Sequence, residues 1–193
     1  MPRWLPNALS MLRIALIPGW LVLAWLERSR ALDGEMVRRL PLIAGLTLIG
    51  ATDVLDGQLA RRFGLATNFG ATLDAVADKL ATVVAVTFLA FFAAPAFTPL
   101  PIWLWAALVL RDLLLAVGFV TVWLKHREVK TEHRWHGRVA TLALFVTVVA
   151  ACAAAPSSLV FAGAALVTAL IVPGTYDYLR SGLRQLSPAA PHP

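Results

Sequence analysis

Residues 100–124 read LPIWLWAALVLRDLLLAVGFVTVWL, twenty-five positions with one basic and one acidic side chain. A membrane-crossing helix needs about 20 predominantly apolar residues, with a range of about 17–25. This stretch meets that length. Five more runs resemble it: Ala8–Leu26, Leu40–Ala60, Phe69–Ala94, Val139–Ala155 and Ser158–Leu179. Pro41, Pro95, Pro99, Pro101 and Pro156 fall at or near the breaks, where proline is tolerated. Pro173-Gly174 lies inside the sixth run and is a candidate kink. The pattern predicts an all-α, polytopic membrane protein with six transmembrane helices. It leaves no room for a separate soluble domain, so residues 1–186 are expected to form one membrane domain. Residues 187–193, rich in proline, are expected to be a disordered tail.

Composition agrees. The AVILMFWYC set makes up 59% of the 193 residues, and only 15% are Asp, Glu, Lys or Arg. Soluble domains run about 45–50% apolar with glycine included and about 25% charged. The balance excludes a disordered chain and an ordinary cytosolic enzyme, and the single cysteine, Cys152, excludes a disulfide scaffold. The first run carries Arg13, lacks a clear small-residue cleavage site and precedes further apolar helices, so it reads as a retained span rather than a signal peptide.

The net charge is +6. Its basic residues sit in short loops between apolar runs, which fits membrane lipid headgroups and not nucleic acid. Six spans place both termini on one side. That side collects Arg3, Arg61, Arg62, Lys125, Arg127, Lys130, Arg134, Arg138, Arg180 and Arg184, whereas the other holds Arg28, Arg30, Arg38 and Arg39. The positive-inside rule then predicts cytoplasmic termini. The four-arginine outer loop runs against the rule, although Glu27, Asp33 and Glu35 lie among those arginines.

The second run ends ATDVLDGQLAR (residues 51–61) and the third opens GATLDAVADK (residues 70–79). Four aspartates therefore lie within or beside membrane helices. One aspartate at mid-membrane costs roughly 2.5–3.5 kcal/mol, so four fully inserted would cost on the order of 10 kcal/mol. At about 100° per residue, Asp53, Asp56, Gly57 and Ala60 share one helix face, and Asp74 and Asp78 share another. A short loop joins the two helices, which predicts antiparallel neighbours whose carboxylates converge near the cytoplasmic surface. Hard divalent cations would neutralise such a cluster, since Mg²⁺ is commonly held by a few carboxylates plus substrate phosphates. Two such ions can clamp both oxygens of a phosphoryl displacement. Gly57 and Ala60 lack bulk, so a ligand can approach the backbone there. Two other readings of the aspartates stand beside this one: salt bridges to Arg61, Arg62 and Lys79, and an ion pathway in a cation-coupled transporter.

The string Asp53-x2-Asp56-Gly57-x2-Ala60-Arg61-x8-Gly70-x3-Asp74-x3-Asp78 resembles the signature of the CDP-alcohol phosphatidyltransferase family at each of its eight fixed positions. Further likeness lies in Leu5–Arg13, similar to the Pro-Asn-x-Leu-Ser/Thr-x2-Arg segment of many members. Arg111-Asp112 is similar to the Arg-Asp or Arg-Glu pair of the glycerophosphate and cardiolipin branches, and Gly137-Arg138-x2-Thr141 to a Gly-Lys-x2-Thr element. Ala75 departs from the proline that glycerophosphate-type members usually carry after the third aspartate.

The resemblance implies transfer of a phosphatidyl group from CDP-diacylglycerol to an acceptor hydroxyl with release of CMP. Glycerol 3-phosphate is the first choice of acceptor and phosphatidylglycerol the second. It implies that Asp53, Asp56 and Asp74 ligate two Mg²⁺ or Mn²⁺ ions, with Asp78 completing the site and acting as the base. Gly57, Ala60 and Arg61 are implied to line the CDP site. Asn7 and Arg13 are candidates for the donor diphosphate or for a plain helix start. Arg111 reads either as an acceptor-phosphate ligand or as the partner of Asp112 or a site aspartate. Arg138 reads as a second acceptor contact or as ordinary positive-inside anchoring. A homodimer in a bacterial cytoplasmic membrane is implied as well. Membrane prenyltransferases also use aspartates and Mg²⁺, but their motifs are spaced differently. His126, His133, His136 and His192 complete no metal motif.

Overall fold

The computed structural model describes residues 5–63, 68–126 and 135–186; within these ranges the side chains of 5–7, 9, 53–63, 68–69, 71, 119, 122–126, 135–138, 178–179 and 181–186 are not described. Six α-helices follow one another: α1 (Leu5–Leu32), α2 (Arg39–Phe63), α3 (Asn68–Phe91), α4 (Ile102–His126), α5 (Trp135–Cys152) and α6 (Ser157–Leu186). No strand occurs among the described residues. The all-helical expectation holds. Each predicted run falls on one helix, but several helices outlast their apolar run. α1 continues from Leu26 to Leu32 and α6 from Leu179 to Leu186; each helix also accommodates an internal proline earlier in its length, Pro18 or Pro173.

Among the described residues two helices carry apolar stretches clearly long enough to cross a membrane, Ser10–Leu32 and Ser157–Asp177; shorter ones lie at Arg39–Thr52 and Val139–Cys152. Only 33% and 22% of the two long stretches are buried, so neither is the enclosed core helix of a soluble protein. Large side chains face outward along other helices as well, among them Leu110, Val117 and Leu142.

The chain forms two compact units, Met1–Leu100 with Val148–Ser157, and Pro101–Thr147 with Ser158–Pro193. In the first, α1 is the hub. Its buried residues Ser10, Arg13, Ile17, Trp20, Ala24 and Glu27 recur at spacings of three and four, the stripe that keeps one helix face against its neighbours. Trp20 serves both sides of that stripe. Its indole Nε1 donates to the Leu42 carbonyl of α2 (3.1 Å), and its ring meets the Phe88 edge of α3 at 6.0 Å. Gly45 lies beside it, where a Cβ would stand 3.2 Å from the Trp20 ring.

Among the described residues α1 packs along both α2 and α3, which also touch each other; the side chains at the end of α2 and the first residues of α3, where the carboxylates are expected to converge, lie largely outside the described residues.

At the far end of α1, Glu27 is buried and accepts from Arg30 Nη1 (2.5 Å) and from the Arg38 backbone N–H (2.7 Å), tying the end of α1 to the start of α2. Behind α3, residues 93–100 fold back. The Leu100 N–H donates to the Leu89 carbonyl, and Thr98 donates through its N–H and Oγ1 to the Ala151 and Ala155 carbonyls.

In the second unit, α5 and α6 approach closely at Gly163, where a Cβ would lie 2.5 Å from Thr147 Oγ1. Small residues at such crossings let membrane helices pack through their backbones. Trp103 and Phe161 meet edge to face at 5.6 Å.

Candidate active site

α3 begins a few residues before the motif, so Asp74 and Asp78 lie in its second and third turns. They are one turn apart on one face, about 6 Å along the axis. α1 brings Arg13 to them. Arg13 belongs to the buried stripe and is only 1% exposed, and its Nη1 donates to Asp74 Oδ1 at 2.8 Å. This is a charge-assisted bond, stronger than one between neutral groups. Asp74 is 40% exposed and Asp78 is exposed. The pair therefore has one face sealed by the cation and another open to a ligand.

Asp53, Asp56, Gly57, Ala60 and Arg61 lie on the last turns of α2, Asn7 in the first turn of α1 and Arg138 in the first turn of α5; their side chains lie outside the described residues. The structure thus brings together Arg13 and Asp74, with Asp78 beside them on α3. Sequence reasoning proposed Arg61, Arg62 and Lys79 as ion-pair partners for the aspartates and did not foresee Arg13, which is 61 residues from Asp74. The signal available for it was the spacing of Arg13 from Ser10 and Ile17 on the α1 stripe.

Among the described residues no group of three or more His, Cys, Asp or Glu side chains gathers at one point. Asp74 and Asp78 are hard oxygen donors at helical spacing, and Asp74 Oδ1 is engaged by the Arg13 guanidinium. That donor chemistry suits Mg²⁺ or Mn²⁺ and not a soft metal.

Arg111, in the middle of α4, pairs with Asp112 through Nη1 and Oδ1 at 3.3 Å. Both are partly exposed, at 33% and 24%, and adjacent helical residues do not face each other. Such a pair contributes about 0–1 kcal/mol, which leaves the guanidinium able to turn to a ligand phosphate. If it does so, Arg111→Ala raises the acceptor KM by about 10–100-fold, the worth of a hydrogen bond to a charged group, and leaves the donor KM nearly unchanged. Steady-state kinetics with each substrate varied in turn checks this; movement of the donor KM alone assigns Arg111 to the nucleotide side or to structure.

A helical membrane-type protein with paired carboxylates and a buried arginine defines the class. The profile of the CDP-alcohol phosphatidyltransferase family matches residues 3–172. The chain belongs to this family, which is membrane-embedded and generally divalent-metal dependent.

It is similar to a CMP-forming cardiolipin synthase of Streptomyces coelicolor, 33% identical over 72% of this chain and 60% of that protein. It is also similar to CDP-diacylglycerol–glycerol-3-phosphate 3-phosphatidyltransferases. The one from Pseudomonas fluorescens is 39% identical over 44% of this chain and 40% of that protein. The one from Pectobacterium atrosepticum is 31% identical over 72% of this chain and 71% of that protein. The chain thus spans less than two thirds of the Streptomyces and Pseudomonas relatives.

Proposed function

We propose that the protein transfers a phosphatidyl group from CDP-diacylglycerol to the hydroxyl of glycerol 3-phosphate, releasing CMP. The observation that carries this reading is the eight-residue motif across α2 and α3 within the family match, with Asp74 and Asp78 on one face of α3. A bond forms between the acceptor oxygen and the phosphatidyl phosphorus, and the bond from that phosphorus to the CMP oxygen breaks. Asp78 takes the acceptor proton. Asp53, Asp56 and Asp74, with Asp78, would hold two Mg²⁺ or Mn²⁺ ions, which would supply positive charge to the diphosphate and the leaving CMP. Gly57, Ala60 and Arg61 accommodate the nucleotide, with Asn7 and Arg13 toward its diphosphate. Arg111 and Arg138 receive the acceptor.

Around this site residues 1–186 form one membrane domain with six spans. Both termini and the site face the cytoplasm of a bacterial cell, and two copies form a homodimer. Of the outer-loop arginines, which run against that orientation by count, Arg30 is neutralised within the fold: it pairs with Glu27 and faces Glu35 at 3.9 Å. A second acceptor, phosphatidylglycerol, is favoured by the likeness to the Streptomyces cardiolipin synthase.

The test is purified protein with CDP-diacylglycerol and a panel of acceptors, following CMP release. CMP should appear with glycerol 3-phosphate, require Mg²⁺ or Mn²⁺ and vanish with chelator. CMP release with phosphatidylglycerol alone would move the reading to the second acceptor. Absence of CMP with every acceptor, as for a cation-coupled transporter, would overturn the reaction. Full turnover in chelator would remove the metal cluster.

A further inference from the structure

A groove of about 520 Å³ opens between the later turns of α1 and α3, lined by Leu21, Val22 and Trp25 on one side and Val83, Phe88 and Phe92 on the other. The volume is that of a ligand pocket, and its walls are apolar. Trp25 has a second contact. The Arg28 guanidinium sits over its ring at 5.3 Å, while Phe92 packs against it at 5.6 Å. Arg28 lies one turn beyond Trp25 and reaches the groove through that ring.

The carboxylates of this segment do not serve Arg28. Glu27 is taken by Arg30 and the Arg38 N–H, and Glu35 faces Arg30. Arg28 Nε is buried and has no hydrogen-bond partner. A half-buried guanidinium has five N–H donors and no acceptor, so a buried donor left unmatched points to an anion that the chain does not supply.

We infer that this groove binds an anionic phospholipid, with an acyl chain along Trp25 and Phe92 and the headgroup phosphate on Arg28. The apolar walls call for hydrocarbon and the unmatched donor calls for a phosphate oxygen. A free anion satisfies only the second and a zwitterionic lipid only the first, because its own cation competes for the phosphate. The site is separate from the one at Asp74. Arg28 lies fifteen residues beyond Arg13 on the same helix, about 22 Å at 1.5 Å per residue. A lipid held there sits at the opposite end of α1 and cannot offer its phosphate to Asp74 or Asp78. The inference needs the membrane and does not depend on the reaction proposed above.

The test uses the full chain in vesicles or nanodiscs and reads tryptophan quenching by brominated lipid. Brominated phosphatidylglycerol should reach half-quenching at about fivefold lower mole fraction than brominated phosphatidylcholine, the size of one basic side chain's attraction to an anionic headgroup. Trp25→Phe should remove the component that carries this preference. Arg28→Gln should abolish the preference, and Arg38→Gln, the same charge change at an exposed position of the same loop, should leave it. Equal quenching by the two lipids overturns the site. So does equal loss in Arg28→Gln and Arg38→Gln, which assigns the effect to diffuse loop charge. Loss of the preference in millimolar inorganic phosphate at constant ionic strength assigns a free anion and overturns the lipid.

Discussion

Asp78→Asn is expected to slow single-turnover CMP release by about 10²–10⁴, the usual contribution of a general base, while CDP-diacylglycerol still binds. Asparagine keeps the shape of the side chain and part of its capacity as an oxygen donor, but it cannot accept the hydroxyl proton at neutral pH. The position supports the role. Asp78 is exposed one turn beyond Asp74, whose Oδ1 is engaged by Arg13. Of the two, Asp78 is the carboxylate open to an incoming hydroxyl. Asp56→Asn serves as the contrast and is expected to weaken donor and metal binding together with the rate. Both variants are measured for donor affinity and for single-turnover release. Near-normal turnover in Asp78→Asn would reduce that residue to a ligand or a structural carboxylate. Loss of donor binding in Asp78→Asn equal to that in Asp56→Asn would mean that its main role is to hold the ions.

Local pattern and tertiary partnership separate what could be read from the chain alone. The six apolar runs locate the six helices because helix length and hydropathy are local. Asp74 and Asp78 share a face by spacing, which needs only the helical period. The end of α1 was less accessible: the first apolar run stops at Leu26 because Glu27 reads as a boundary. In the fold Glu27 is 1% exposed, and Arg30 and the Arg38 N–H offset the cost of burying it. Its place depends on a chain reversal that sequence spacing does not show.

The packing of α1 is likewise a matter of tertiary partnership. Loop length says that α2 and α3 are near each other, while only the fold shows Trp20 of α1 reaching both. Arg13 was legible as a buried-stripe position and as part of a family-like segment, yet its partner was not, since nothing local links it to a carboxylate 61 residues away.

That partnership makes the second large prediction. Arg13 is 1% exposed and Asp74 40% exposed, so the two halves of the pair are not equivalent. Losing the arginine leaves a carboxylate that water still reaches. Losing the carboxylate leaves a cation inside the bundle without the counter-charge that meets it at 2.8 Å. Breaking a fully buried pair from one side costs about 3–5 kcal/mol; solvent access to Asp74 screens the interaction and reduces this to about 1–3 kcal/mol. Asp74→Asn is therefore expected to be the more destabilising change in metal-free protein. Arg13→Met, which refills the stripe with a flexible apolar side chain of similar length, is expected to cost less. In the double variant the buried charge is gone, so Arg13→Met should recover part of what Asp74→Asn loses, a coupling that a double-mutant cycle isolates. The measurement is denaturant unfolding of all four proteins in detergent with chelator present. Additive losses would mean that the 2.8 Å contact carries no net stability. A larger loss in Arg13→Met than in Asp74→Asn would mean that the arginine is held by packing rather than by charge. Activity distinguishes the second role of the same residues. Asp74→Asn should lose turnover even where the added Arg13→Met restores stability, because a sound fold does not replace an oxygen ligand for the diphosphate's cations.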